Sequence, residues 1–241
     1  AFEARAIQPA NALLVLAGAV HPMQAATWVD SLTQGWLTNT PYPLAPLPRQ
    51  PLAADTLWFA RMEQTPTPLV RFSWVVPATG YNLSQPLLAR AAAFALAAKN
   101  GKLHQQLVPP GFAYTLRSTY TPMPRGQAVL HLDLYPAPGN LQPRLRKALT
   151  LLGGTEWPTQ VAGSLLDATR NSLLRRHHMA ASAAWGRWPD LAEAWAHGEL
   201  PSHLQQDQAL QGLSANALQA ALRELTELPM AMGVVLNSTA A

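Results

Sequence analysis

The sequence predicts an α+β chain, a largely antiparallel sheet with helices packed on one face, plus a helical C-terminal tail. Three observations predict it. Strand-length stretches that alternate between apolar and polar side chains recur between residues 69 and 135. Residues 83–98 are almost wholly apolar and long enough for a helix buried on most sides. Beyond residue 140 the apolar spacing becomes helical almost to the end. Strands grouped first and helices grouped later give the α+β order.

The elements follow one by one. Residues 12–17 are an apolar run bounded by Asn11 and Gly18, the pattern of a buried strand. Pro22 stands where a helix can begin, and Ala25, Trp28, Val29, Leu32, Trp36 and Leu37 share one face of it. Prolines 41, 43, 46, 48 and 51 make residues 39–51 an extended connector. Residues 56–62 and 69–76 read as strands separated by Thr65-Pro66-Thr67-Pro68; in the second, Arg71, Ser73 and Val75 alternate with Phe72, Trp74 and Val76. Ser84 is a candidate N-cap for the buried helix, and Asn100-Gly101 is its stop.

Residues 112–120 and 127–135 pair as antiparallel strands joined through Pro122, Pro124 and Gly126. In the second, Val129, His131, Asp133 and Tyr135 oppose Leu130, Leu132 and Leu134. Helices are expected at 141–152, 159–179 and 180–197, the last broken at 186–189. Ser214 caps a final helix through Leu225, and residues 230–236 form a closing strand. The whole, 1–241, reads as one domain: strand and helix (1–38), Pro-rich connector (39–52), sheet and helix core (53–152), then helical tail and closing strand (153–241).

Composition narrows the function classes. Of 241 residues, 49% are hydrophobic, enough for a core, and only 12% are charged, about half the usual share of ~25%. So little charge suits a surface covered by a partner domain, or equally a neutral surface from a GC-rich bacterial genome. The net charge of +4 is scattered rather than gathered in a stripe with aromatic platforms, which argues against nucleic acid. No apolar run is long enough to span a membrane. The absence of cysteine removes thiol chemistry and disulfides and leaves cytoplasm and periplasm both open. Residues 1–9 lack a charged region followed by an apolar one, so the start reads like the middle of a longer protein rather than a signal peptide.

The histidines are His21, His104, His131, His177, His178, His197 and His203, and none lies in a His-x-x-Glu-His motif. His177 and His178 are adjacent, so they point to different faces of a helix end. His131, Asp133 and Tyr135 share one strand face; they form either an acid–base group for a small-molecule enzyme or the polar row of an edge strand. No nucleophile elbow or phosphate loop is present. Trp185, Trp188 and Trp195 cluster, as a cage or as an apolar anchor between helices.

One segment carries a family resemblance: Gly101-Lys102-Leu103-His104-Gln105-Gln106-Leu107-Val108-Pro109-Pro110-Gly111-Phe112-Ala113-Tyr114, behind the Val15 to Pro22 strand-and-helix entry and the Pro-rich link. The chain resembles the C-terminal, non-catalytic domain of the pitrilysin/insulinase family of zinc metallopeptidases. Leu103, Leu107, Gly111, Ala113 and Tyr114 carry the match. The resemblance implies a non-catalytic domain or subunit of a zinc endopeptidase, forming half of a peptide-enclosing chamber. It implies no cofactor in this chain and zinc in a partner catalytic domain. Of the family's substrate contacts, Tyr114 is carried over as a peptide-binding residue. The accompanying Arg falls at Val108, and the segment is one residue short. The alternatives are a stand-alone binding or assembly module with this fold, and, for Tyr114, a ring packed on Leu103.

Overall fold

A computed structural model describes residues 12–16, 19–35, 56–62, 68–123, 127–154, 156–158, 161–182 and 187–237. In chain order the elements are α1 (Pro22–Thr33), β1 (Thr56–Met62), β2 (Leu69–Val76), a 3-10 turn (Asn82–Ser84), α2 (Pro86–Ala97), α3 (Lys102–Leu107), β3 (Ala113–Pro122) and β4 (Ala128–Pro136). There follow α4 (Leu141–Leu152), α5 (Gly163–Ser182), α6 (Arg187–Ala196), α7 (Leu200–Leu204), α8 (Gln206–Gln211), α9 (Ala215–Glu227) and β5 (Met230–Asn237). The chain divides into two compact units, residues 1–49 with 176–196, and residues 50–175 with 197–241.

The larger unit is built on a five-stranded sheet of order β1-β5-β2-β4-β3. β2 is antiparallel to β4 and β5, β3 is antiparallel to β4, and β1 runs parallel to β5. The fold is therefore α+β, and its last strand inserts between the first two. Because side chains alternate across a strand, Val70, Phe72, Trp74 and Val76 of β2 and Leu130, Leu132 and Leu134 of β4 all face one side, where they are buried.

α2 covers that side. Its Ala89, Ala91 and Ala92 are fully buried, and such small side chains let a helix approach a sheet closely. The Ser118 hydroxyl of β3 donates to the carbonyl of Ala93. α9 presents Leu218, Ala221, Leu222 and Leu225 to the same core. It is capped as expected: the Ser214 side chain accepts from the Ala217 N–H at 3.1 Å. Ser84, in contrast, is not the cap of α2. The helix begins after Gln85 with Pro86 in its first turn, where a missing N–H costs nothing. The Ser84 hydroxyl donates to the Pro77 carbonyl at 2.9 Å and accepts from Tyr81 N–H at 3.3 Å. The 3-10 turn is held by the Glu224 carboxylate of α9, which accepts from the N–H of Asn82 (2.7 Å) and of Leu83 (2.9 Å).

The smaller unit departs most from the sequence reading. Residues 12–16 form no strand, and Leu14 is 61% exposed. An apolar run becomes a strand only where a neighbour completes its hydrogen bonds, and no described strand pairs with it. α1 has its expected start but buries only Ala25; Met23, Trp28 and Leu32 lie exposed. In α6, Ala194 is the buried residue while Trp188 and Trp195 are exposed, so they do not anchor the tail through burial. Trp36, Trp185 and the connector at 39–51 fall outside the described residues.

Candidate functional site

The face of the sheet turned away from α2 carries the polar chemistry. Alternation places Arg71 and Ser73 of β2 there, with Thr115, Arg117 and Thr119 of β3 and His131, Asp133 and Tyr135 of β4. The register lines up Trp58, Gly233, Arg71, Asp133 and Arg117 in one row across all five strands. Ala231, Ser73, His131 and Thr119 form the next row.

Within the first row Arg71 grips Asp133 with a two-pronged ion pair, Nε to Oδ1 at 2.6 Å and Nη2 to Oδ2 at 2.8 Å. Asp133 is buried, whereas the Arg71 side chain is 47% exposed. The bond to Asp133 raises the pKa of Arg71 further, against the opposing effect of its own burial. His131 Nδ1 lies 2.8 Å from the Ser73 hydroxyl. Burial chiefly, and Arg71 in addition, lower the His131 pKa against the pull of Asp133, so the imidazole is neutral at neutral pH. The Arg117 guanidinium sits 5.6 Å from the centre of the Tyr135 ring, a cation–π contact. Trp58 is 58% exposed, and its ring lies 3.5 Å from where a Cβ on Gly233 would stand.

The structure thus brings His131, Asp133 and Tyr135 to one face but gives each a partner on a neighbouring strand. The acid–base group is not assembled. The edge-strand explanation also needs correcting: β4 is interior, flanked by β2 and β3. Its polar row persists because Arg71 and Ser73 satisfy it across the ladder.

Tyr114 stands at the start of β3 as the extra residue of a bulge, between Ala113 opposite Pro136 and Thr115 opposite Tyr135. It is 59% exposed, while Leu103 is buried. The turn before it passes through Gly111 at φ +79°, a left-handed conformation that a side chain would strain. Val108, where the resemblance expects Arg, follows α3 and packs against the core, so it presents no charge.

Sequence reasoning missed a second polar cluster, on the covered side. Glu199 accepts from Arg90 of α2 at 2.7 Å and from the Tyr120 hydroxyl of β3 at 2.8 Å, and Arg90 lies 5.4 Å from the Tyr120 ring centre. Burial first, then the bond to Glu199, raise the Tyr120 pKa. Each charge is paired, so the cluster ties α2, β3 and the chain before α7 together. Its members are 109 and 79 residues apart, and no local pattern could have joined them. Among the described residues no group of three or more His, Asp or Glu is placed to hold a metal ion. The His177 and His178 rings are 6.1 Å apart and tilted by 54°.

No sequence-family profile matches the chain, and no curated protein matches it in sequence. Solved structures do match in shape. A protease from Helicobacter pylori superposes with a TM-score of 0.73 at 15% identity, over 98% of this chain and 57% of that one. The inactive peptidase domain of an inferred zinc protease from Bordetella parapertussis gives 0.58 at 19% identity, over 70% and 92%. An insulinase-family protease predicted in Yersinia pestis gives 0.58 at 15% identity, over 92% and 50%.

The chain has the fold of an insulinase-type zinc-protease domain. It spans about half the length of the Helicobacter and Yersinia proteins and nearly all of the Bordetella domain. Within this insulinase-type fold, the open sheet face and Tyr114 are the exposed candidates for binding, and the Glu199 cluster is internal. Among the described residues no helix is long and apolar enough to cross a membrane.

Proposed function

We propose that residues 1–241 act as one non-catalytic domain or subunit of a zinc endopeptidase of the pitrilysin/insulinase type. The chain closes half of a peptide-enclosing chamber and contributes binding surface. Zinc and the hydrolytic water belong to a partner domain that carries His-x-x-Glu-His. One observation carries this reading: the fold matches that of an inactive peptidase domain over 70% of this chain, and the sequence holds no His-x-x-Glu-His. A zinc peptidase of this kind needs two histidines on one helical turn with a glutamate as base, and this chain has no such turn. Tyr114, exposed at the start of the edge strand β3, is a residue of this chain that touches the peptide.

The second reading, a stand-alone binding or assembly module with the same fold, draws support from Val108, whose apolar side chain packs inward where the family pattern has Arg.

The test mixes this chain with the nearest-encoded zinc-bearing domain of the same fold and measures mass by size-exclusion chromatography with light scattering, then peptide cleavage. The expected result is a complex that cleaves only when both are present, with Tyr114→Ala raising KM several-fold and changing kcat little. A zinc domain that cleaves equally well alone, with no complex formed, overturns the chamber reading and favours the module.

A further inference from the structure

We propose that Arg117, braced on Tyr135 and adjoining the Arg71–Asp133 pair, reads acidic side chains of an extended polypeptide laid across the open sheet face. The inference rests on the polypeptide-binding reading above and assigns it a charge preference. Three observations carry it.

The first is a charge imbalance. By register and sequence, the open face of the described strands bears three charged side chains, Arg71, Asp133 and Arg117. Both oxygens of Asp133 are engaged by Arg71. Arg117 is exposed and, among the described residues, pairs with no carboxylate. His131 is held neutral and adds no charge beside them.

The second is preorganisation. The Tyr135 ring seats the Arg117 guanidinium, so fewer rotamers are lost when a ligand arrives. Its donors form a planar fork that matches a carboxylate. Arg117, the one cation of this face without an ion-pair partner among the described residues, fits one carboxylate at a time. A polyanion such as nucleic acid requires a contiguous basic stripe, which this face lacks.

The third is reach. The row from Trp58 to Arg117 crosses five strands, so it spans roughly 19 Å at the usual strand spacing. About six residues of extended chain cover that distance. Such a segment that sets a glutamate or aspartate on Arg117 brings its other end to the exposed Trp58 ring, across the gap that Gly233 leaves.

The experiment uses the full chain and fluorescence anisotropy with three labelled, C-terminally amidated twelve-residue peptides, identical except that two central positions are Glu, Gln or Lys. The expected result is binding of the Glu peptide about tenfold tighter than its Gln twin, a difference typical of one charge-assisted contact. Arg117→Gln abolishes that preference and Arg117→Glu shifts it to the Lys peptide. Thermal melts place both variants fully folded at the assay temperature, since Arg117 is exposed and, among the described residues, forms no ion pair. Peptide binding without charge preference, or a preference that survives Arg117→Gln, overturns this inference and leaves polypeptide binding standing. Failure of every peptide to bind the parent chain overturns both. Glu preference that appears only with a free C-terminal carboxylate also overturns it, because the ligand is then a chain end.

Discussion

On one face of the sheet Phe72, Leu132 and Val234 are sealed from solvent, while on the other Arg71, Arg117 and Trp58 reach it. The same strands serve both faces, residue by residue. The covered face is held by volume: α2 and α9 leave no room for a lost methylene without a cavity. The open face is held by pairs, Arg71 with Asp133 and Ser73 with His131, each partly in water. Stability is therefore concentrated on one face, and the other is free to vary its chemistry.

The largest expected effect breaks the covered face. Leu132→Ala should lower unfolding free energy by about 2–5 kcal/mol, the usual cost of an internal cavity, whereas Thr119→Ala, exposed on the opposite face, should change it by less than about 0.5 kcal/mol. Urea unfolding of both variants checks this, and equal losses would erase the distinction between the faces.

A middle-sized effect sharpens it, because polar groups also hold the covered side. Glu199→Ala strands Arg90 and the half-buried Tyr120 hydroxyl, which should cost about 1–3 kcal/mol. Tyr120→Phe should cost less, about 1 kcal/mol, since Glu199 keeps Arg90. A double-mutant cycle with these two variants should return a clear coupling energy; additive losses would mean the cluster contributes little.

The smallest effect lies in pH. The folded-state pKa of His131 is lowered, mainly by burial, so the unfolded chain binds its proton first as pH falls. Stability from the neutral imidazole is thus complete above the unfolded value of about 6.5 and is lost as pH drops toward the folded one. His104, lowered by burial and by Lys99, acts in the same direction. His131→Gln and His104→Gln should each flatten the stability profile between pH 7 and pH 5 in part, and an unchanged slope in both would exclude these groups.

Local pattern carried much of the fold. The bounds of β1, β2 and α4 match the strands and helix expected from alternation and helical spacing, and Ser214 caps α9 as expected. These features depend on residues within a few positions of one another. The run at 12–16 did not become a strand and Trp28 did not become buried, because each needs a distant surface that a one-dimensional pattern does not specify. At the candidate site, the sequence placed His131, Asp133 and Tyr135 on one face correctly. It could not show that Arg71 and Ser73, some 60 residues earlier, would claim two of them.

The sequence by itself determined which side chains alternate, where most helices and strands begin, and that no His-x-x-Glu-His is present. Only the tertiary structure decided that β5 enters between β1 and β2, that β4 is interior, that Glu199 bridges α2 to β3, and that Arg117 has no counter-ion among the described residues. Alternation and capping are set by backbone geometry over a few residues. Strand order and charge pairing are set by which distant surfaces meet, and that is a property of the folded chain.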